Sequence, residues 1–311
     1  PGTSWSSEGD GHPLLGRETG RDGGLREFTA RISSRQPAYL ADHTIGGQVF
    51  LPAAAYLELL LAVQDEVHGD TGRAVEDVRF HEALFLSDRP ALLLTRVRPG
   101  PDGRLEVEVS SRGADEPEGA ERLHATASVA AEPDYAGSGL AGPARTLLAL
   151  TGALDGDEPS RVMDGGEVKA AYAEAGLEYG PQFLRARSVT AYGPDFAVTE
   201  LSGGDVSRAE HLPPPLLDGA THGLAALTDD GRRYVATSVG RLRAFKKPRG
   251  QVLRSAARVA RAEDPEQTDP AFTLDVLLLE EDGRPVMELS GMGFTRLPDR
   301  PVEESATRLA T

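Results

Sequence analysis

One plan occurs twice along this chain, and it constrains the fold more than any other feature. A proline introduces an apolar, alanine-rich segment of helical character, and several strand-like stretches follow. In the first half the segment is "PAAAYLELLLAV" from Pro52, with the proline near the first turn, where a missing N–H costs little. "REFTARIS" precedes it as a short strand. "ALLLTRVRPGPDGRLEVEVSSR" then reads as a hairpin, in which Leu105, Val107 and Val109 alternate with Glu106, Glu108 and Ser110 after a Pro-Asp-Gly turn. "RLHATASVA" is a further strand. In the second half, "VKAAYAEAGL" is a short helix and "SVTAYGPDFAVTEL" a hairpin. "LPPPLLDGATHGLAALT" is the matching proline-led helix, and the last hairpin, "FTLDVLLLEEDGRPVMELSGMGFTRL", turns at Asp282-Gly283. An antiparallel sheet with one face covered by a helix is an α+β layer arrangement, and two of them in tandem suggest a duplicated fold. The Gly-, Ala- and Pro-rich stretch around 131–160 is the natural divide. The expected organisation is a unit over 1–140, a linker over 141–160, a second unit over 161–300 and a tail over 301–311.

Composition excludes several classes of function. The net charge of −16 leaves no basic footprint for nucleic acid or an anionic membrane. Cysteine is absent, which removes disulfides, thiolate catalysis and cysteine-ligated zinc. No stretch approaches the roughly 18 apolar residues of a membrane span, and the N-terminus has no signal-peptide pattern. The expected location is the cytoplasm. The missing initiator Met suggests a piece of a longer polypeptide, and three lysines among 33 basic residues suggest a GC-rich, bacterial source.

Three short stretches could carry chemistry. "DHTIGGQVFLP" places His43 ahead of Gly46-Gly47 and the first long helix. Gly-Gly lets the backbone bend sharply, and free amides at a helix start favour developing negative charge. A histidine there could take a proton next to a carbonyl, or simply hold a turn through a backbone hydrogen bond. "LLDGATHGL" starts the second helix with Asp218 and sets His222 four residues on, on the same helix face. Asp218 could be an N-cap. Its apolar neighbours Leu216, Leu217 and Leu224 should also favour a neutral, proton-donating carboxyl. "GLEYGPQF" stands Tyr179 before an abrupt Gly180-Pro181 turn with Phe183 beyond, which fits an ordinary packed turn as well as a substrate contact. A metal held by Asp218, His222 and a remote His43 lacks convincing ligand spacing, so no metal is expected.

Together these stretches resemble the dehydratase domains of modular polyketide synthases. "HTIGGQVFLP" matches that family's histidine-x-x-x-glycine-x-x-x-x-proline signature through His43, Gly47 and Pro52. "EYGPQF" resembles its tyrosine-glycine-proline-x-phenylalanine element, "DGATH" its aspartate-x-x-x-glutamine-or-histidine element, and "HPLLG" at 12–16 the usual opening. The elements occur in family order. The resemblance implies a double hot-dog fold, two helices each wrapped by an antiparallel sheet, with His43 and Asp218 meeting across the two halves. It implies that His43 takes the α-proton of a 3-hydroxyacyl thioester and that Asp218 protonates the departing hydroxyl. His222 would orient Asp218, Tyr179 would lie near the hydroxyl, and the Gly47 amide with the helix start would hold the thioester oxygen. Pro52, Gly180, Pro181 and Phe183 would shape the substrate site.

By the same resemblance no cofactor is needed, and the substrate arrives on the phosphopantetheine arm of an acyl carrier protein. Neighbouring synthase domains and a second copy of the chain are the other expected partners. Two departures stand out: Leu177 replaces the usual tyrosine, and Ala236 stands where proline is expected. A dehydratase that also closes an oxygen heterocycle, and an inactive carrier-binding scaffold, are the alternative functions. The densest basic run, "RLRAFKKPRG", offers Arg241, Arg243, Lys246 and Lys247 to a carrier's phosphate or acidic surface; it is equally a solvated strand end.

Overall fold

Eleven consecutive buried residues, Ala54 to Gln64, lie in helix α1 (Ala53–His68). A helix apolar on every side cannot sit on a surface and needs a sheet curled around it. Leu57, Leu59, Leu60 and Leu61 are each 1% exposed or less, and each contributes about 1.5–3 kcal/mol by leaving water. Gly69 ends the helix in the left-handed region (φ 76°), its N–H donating to the Asp65 carbonyl. The computed structural model describes residues 11–133, 140–154, 156–204, 209–228, 232–262 and 269–297. The tail expected at 301–311 lies outside the described residues.

The first half supplies β1 (Arg17–Asp22), β2 (Leu25–Ile32), β3 (His43–Ile45), β4 (Gln48–Phe50), β5 (Val75–Phe80), β6 (Phe85–Leu86), β7 (Ala91–Pro99), β8 (Leu105–Gly113) and β9 (Arg122–Val129). The second half supplies α2 (Gly142–Gly152), β10 (Arg161–Asp164), α3 (Gly165–Glu174), β11 (Leu177–Tyr179), β12 (Ala186–Tyr192) and β13 (Phe196–Ser202). It continues with α4 (Pro214–Gly219), α5 (Leu224–Leu227), β14 (Tyr234–Ala244), β15 (Val252–Arg261), β16 (Phe272–Glu280) and β17 (Pro285–Arg296). The expected hairpins form as β7–β8, β12–β13 and β16–β17, all antiparallel.

The two halves share one antiparallel sheet of thirteen strands, ordered β1-β2-β7-β8-β9-β5-β14-β17-β16-β15-β13-β12-β10. The seam is β5 on β14, with Glu76 opposite Arg241 and Val78 opposite Val239. Each half wraps its own helix, which is the double hot-dog arrangement. The duplication is imperfect, because the second helix is short. It breaks into α4 and α5 with tight turns between them, where Thr221 N–H reaches the Asp218 carbonyl and His222 N–H that of Gly219. The chain is crowded at the break: a Cβ on Gly219 would stand 2.8 Å from Arg185 Cβ, and one on Gly223 would stand 3.2 Å from Ala257 Cβ. The stretch 141–160 carries α2, whose Ala144 and Leu147 pack with Leu140, Phe196, Ala256, Leu277 and Leu279 in a cluster separate from the main core.

Candidate active site

The strand that opens with His43 is short because Gly46 and Gly47 reverse it at once. Both have positive φ (56° and 74°), the geometry of a tight hairpin turn that only glycine adopts without strain. The turn returns the chain as β4, pairing Thr44 with Val49. The Phe50 carbonyl then sits 3.3 Å from His43 Nδ1. A carbonyl can only accept, so Nδ1 carries the hydrogen and Nε2 keeps a lone pair. The imidazole is 3% exposed. Burial pushes its pKa below the ordinary histidine value, with the Asp218 charge pulling partly the other way. The spacing of histidine, glycine and proline thus builds an oriented imidazole with a free Nε2 lone pair, with Pro52 closing the stretch at the N-cap of α1.

A four-stranded sheet, β11-β3-β4-β6, brings the second half to this histidine. Tyr179 is the direct cross-strand partner of His43. Gly180 N–H donates to the Asp42 carbonyl at 2.8 Å, and the Asp42 carboxylate accepts from Gln182 N–H at 2.8 Å. The turn carries Phe183 back beneath His43, with ring centroids 4.8 Å apart. The Tyr179 ring lies 5.4 Å from that of His43 and stacks at 5.4 Å on that of His222.

Asp218 stands in the last turn of α4, not at the start of a long helix as expected, because the helix ends one residue later. His222 is fully buried behind it, with Nε2 3.5 Å from Asp218 Oδ2. The turns between them still set the two side chains side by side. Burial and the Asp218 charge raise the Tyr179 phenol well above its ordinary pKa, and a side-chain hydrogen bond to Asp218 adds to this. Tyr172, on α3, closes the group: its ring is 4.9 Å from that of Tyr179 and 5.2 Å from that of His222. Its phenol is also pushed up, by burial first and by Asp218 second.

His43, Asp218, Tyr179, Tyr172 and Leu177 line one cavity of about 200 Å³ between the halves. The Leu177 wall is apolar where a phenol was expected, and Tyr172 brings a phenol to the same cavity from α3. Sequence reasoning missed Tyr172, although it is the only aromatic residue of "VKAAYAEAGL". It also missed Tyr56, whose buried hydroxyl has no hydrogen-bond partner among the described residues. Ala236 lies on the cavity wall as well. His222, Phe183, Gly180 and Pro181 stand outside it and support those that line it. Gly47 is exposed in the β3–β4 turn and is not among the residues lining the cavity. Ala53, in the first turn of α1, is on the wall, and no side chain caps that turn.

The basic run has other work. Arg243 is buried against Glu288, with Nε and Oε1 3.1 Å apart and side chains 3% and 1% exposed, and it lies over the Phe245 ring. Arg241 meets Glu76 at 2.7 Å across the seam, and Lys246 meets Glu280 at 3.3 Å. Lys247 is exposed at the strand end, near the acidic group around Glu58 and Glu210. Arg243 is thus buried in the fold and not presented to a partner as expected, whereas Arg241, paired with Glu76, keeps part of its side chain exposed.

Comparison with known proteins agrees with this geometry. The family model for a polyketide synthase dehydratase domain matches residues 12–112, and that for a polyketide synthase dehydratase N-terminal domain matches 152–304. The polyketide synthase GfsE of Streptomyces halstedii is 36% identical over 221 residues, covering 68% of this chain and 5% of that protein. The spectinabilin polyketide synthase system protein NorA′ of Streptomyces orinoci is 31% identical, over 66% of this chain and 5% of the relative. The chain thus spans about a twentieth of the length of these relatives. Among solved structures, the dehydratase domain from the CurJ module of curacin polyketide synthase superposes with a TM-score of 0.78 at 18% identity, covering 96% of this chain and 99% of that one. GphF dehydratase 1 superposes with a TM-score of 0.72 at 24% identity, over 92% and 100%.

The chain belongs to the dehydratase domains of polyketide synthases, a family of hydro-lyases that remove water from 3-hydroxyacyl intermediates and generally need no cofactor. Its relatives are multidomain synthases. Among the described residues, no helix is long and apolar enough to cross a membrane and no three His, Asp or Glu side chains are grouped to hold a metal ion.

Proposed function

We propose that this chain dehydrates a 3-hydroxyacyl thioester delivered on the phosphopantetheine arm of an acyl carrier protein, with His43 as base and Asp218 as acid. The observation that carries this reading is the shared cavity: a neutral imidazole from the first half and a carboxyl group from the second line the same space. His43 Nε2 takes the α-proton, and the C–H electron pair becomes the new C=C bond. The C–O bond at the third carbon breaks, and Asp218 gives its proton to the departing hydroxyl, so water leaves. Proton passage from His43 back to Asp218 resets the site. The uncapped start of α1 at Ala53 is placed to stabilise the thioester oxygen as it gains charge. His222 and Tyr172 fix the carboxyl and the Tyr179 phenol beside it.

The test is turnover of a 3-hydroxyacyl carrier protein followed by mass, as the loss of one water. His43→Ala and Asp218→Asn should each lower kcat by ~10²–10⁴-fold, the usual contribution of a positioned acid or base. Either variant turning over at the wild-type rate refutes the assignment. Buried Arg243 does not offer its charge to the carrier, and a homodimer within a dimeric synthase is the assembly that fits the family.

A further inference from the structure

Outside the cavity, one buried carboxylate stands in an otherwise apolar helix. Glu58 lies in the middle of α1 and is fully buried. Burying a carboxylate is costly unless hydrogen bonds satisfy it, and a leucine in that position would carry no such penalty. Its satisfaction comes from far along the chain. Oε1 accepts the His211 N–H at 2.6 Å, Oε2 accepts the Leu212 N–H at 2.7 Å, and the Nε2–H of His12 reaches Oε1 at 3.0 Å. The His12 contact is a neutral N–H on a carboxylate, because Nδ1 of the same ring accepts the Leu14 and Leu15 amides. The opening "HPLLG" is thereby pinned to α1. A second tether runs parallel: Tyr39, just before His43, donates its hydroxyl to Glu210 Oε1 at 2.9 Å.

We propose that Glu58 is a positioning residue for Asp218: from the helix whose first turn borders the His43 end of the cavity, it grips the backbone leading into the helix that delivers the acid. His211 and Leu212 are followed directly by Pro213, Pro214 and Pro215. Three prolines in a row fix φ and leave little slack, so the grip at 211–212 is transmitted to Asp218 six residues beyond Leu212. This rests on the reading of Asp218 as the acid.

The grip is also built to respond to protons. The titratable and charged groups facing it are Glu210 and His211 from the segment before α4, His12 from the opening segment, Asp65 from its own helix and Lys247 beyond the end of β14, with the Tyr39 hydroxyl beside Glu210. Burial pushes Glu58 up to about 7, while the two amides pull the other way; burial takes His12 down to about 4. An ionised Glu58 accepts all three donors. Once protonated, Glu58 loses the charge that strengthens these bonds and one oxygen carries a proton among the donors, so the grip loosens as pH falls through about 7.

Glu58→Gln tests the proposal through kcat, KM and amide hydrogen exchange from pH 6 to 8. Misplacing a catalytic group by ~1 Å can cost ~10²-fold, so kcat should fall by about ten-fold or more with KM held within about two-fold. The limb of the kcat profile near pH 7 should vanish, because glutamine does not titrate there. Exchange across 209–218 should rise by about ten-fold while the centre of α1 stays protected. A wild-type kcat and profile in Glu58→Gln, or exchange at 209–218 equal to wild type, overturns the proposal; so does a loss of kcat matched by a fall in thermal stability of the whole domain. If Glu58→Gln does not fold, the wild type decides: exchange at 209–218, divided by the intrinsic rate, should quicken from pH 8 to pH 6, and unchanged protection overturns the idea. Asp218→Asn separates the two readings, since wild-type turnover there sinks the role of Asp218 while exchange still reports on the grip.

Discussion

Gly180→Ala should damage the reaction without touching an acid or a base. A Cβ at Gly180 would lie 2.4 Å from both Cγ and Oδ1 of Asp42 and 2.8 Å from its Cβ. Ordinary contact begins near 3.4 Å, so one partner must move by about 1 Å. Gly180 has no positive φ, so alanine adds no backbone strain and the effect is one of space alone. Asp42 cannot swing away freely, because its carboxylate holds the Gln182 N–H at 2.8 Å and its own carbonyl holds the Gly180 N–H at 2.8 Å. Either the clash persists at ~1–3 kcal/mol or the charged hydrogen bond breaks at ~1.5–3 kcal/mol. In both cases β11 shifts against β3, and Tyr179 with it, away from His43. Displacement of that size is worth up to ~10²-fold in rate, or ~2.7 kcal/mol. The expected result is kcat lowered by about 10- to 100-fold with the domain destabilised by ~1–3 kcal/mol, measured by water loss from carrier-bound substrate and by denaturant unfolding. A variant with the wild-type kcat and unfolding midpoint would falsify the claim that this turn sets the geometry of Tyr179 and His43.

Two further outcomes follow from burial. Arg243→Ala removes the ion partner of Glu288 at 1% exposure, leaving the Ala141 N–H on Oε2 in place, and should cost ~3–5 kcal/mol of stability; a denaturant midpoint within error of wild type would show the pair to be dispensable. His12, His43, His68, His124 and His211 all have folded pKa values below the free value of 6.5. The unfolded chain therefore binds more protons just below pH 6.5, and their stabilisation is lost as pH falls from there; Glu58, raised to about 7, and Glu210 and Asp275, also raised by burial, oppose this with fewer groups. The thermal midpoint should drop between pH 7 and pH 5, and a flat or rising midpoint would contradict the burial of these rings.

Much of the architecture is written in local patterns. The alternation of Leu105, Val107 and Val109 fixes a strand because its period is two, and the apolar run after Pro52, interrupted only by Glu58, fixes a buried helix because no face of it suits water. The spacing of His43, Gly47 and Pro52 reads as a turn and a helix start for the same local reason. Other features resist such reading. A single long helix was expected around Asp218; the chain breaks there into two short helices at glycines crowded by Arg185, just before β12, and by Ala257 of β15, neighbours remote in sequence. The α2 helix hides in a Gly- and Pro-rich stretch, since only Leu140, Ala144 and Leu147 are needed to seat it on the sheet's outer face.

The site divides the same way. Residue types make His43 and Asp218 candidates for proton transfer, because imidazole and carboxyl chemistry belong to the side chains themselves, and the family resemblance proposes them as base and acid. Sequence assigned Gly47 to the substrate and Arg243 to a partner; in the folded chain the first is an exposed hairpin turn and the second a buried counter-ion to Glu288. Nor does any pattern in "AYLELLL" reveal that Glu58 would meet amides more than 150 residues away. Chemistry and local conformation are properties of neighbours in the chain. Burial, register and distance between remote groups arise only when β5 meets β14 and β3 meets β11, and those pairings are decided by the packing of the whole domain.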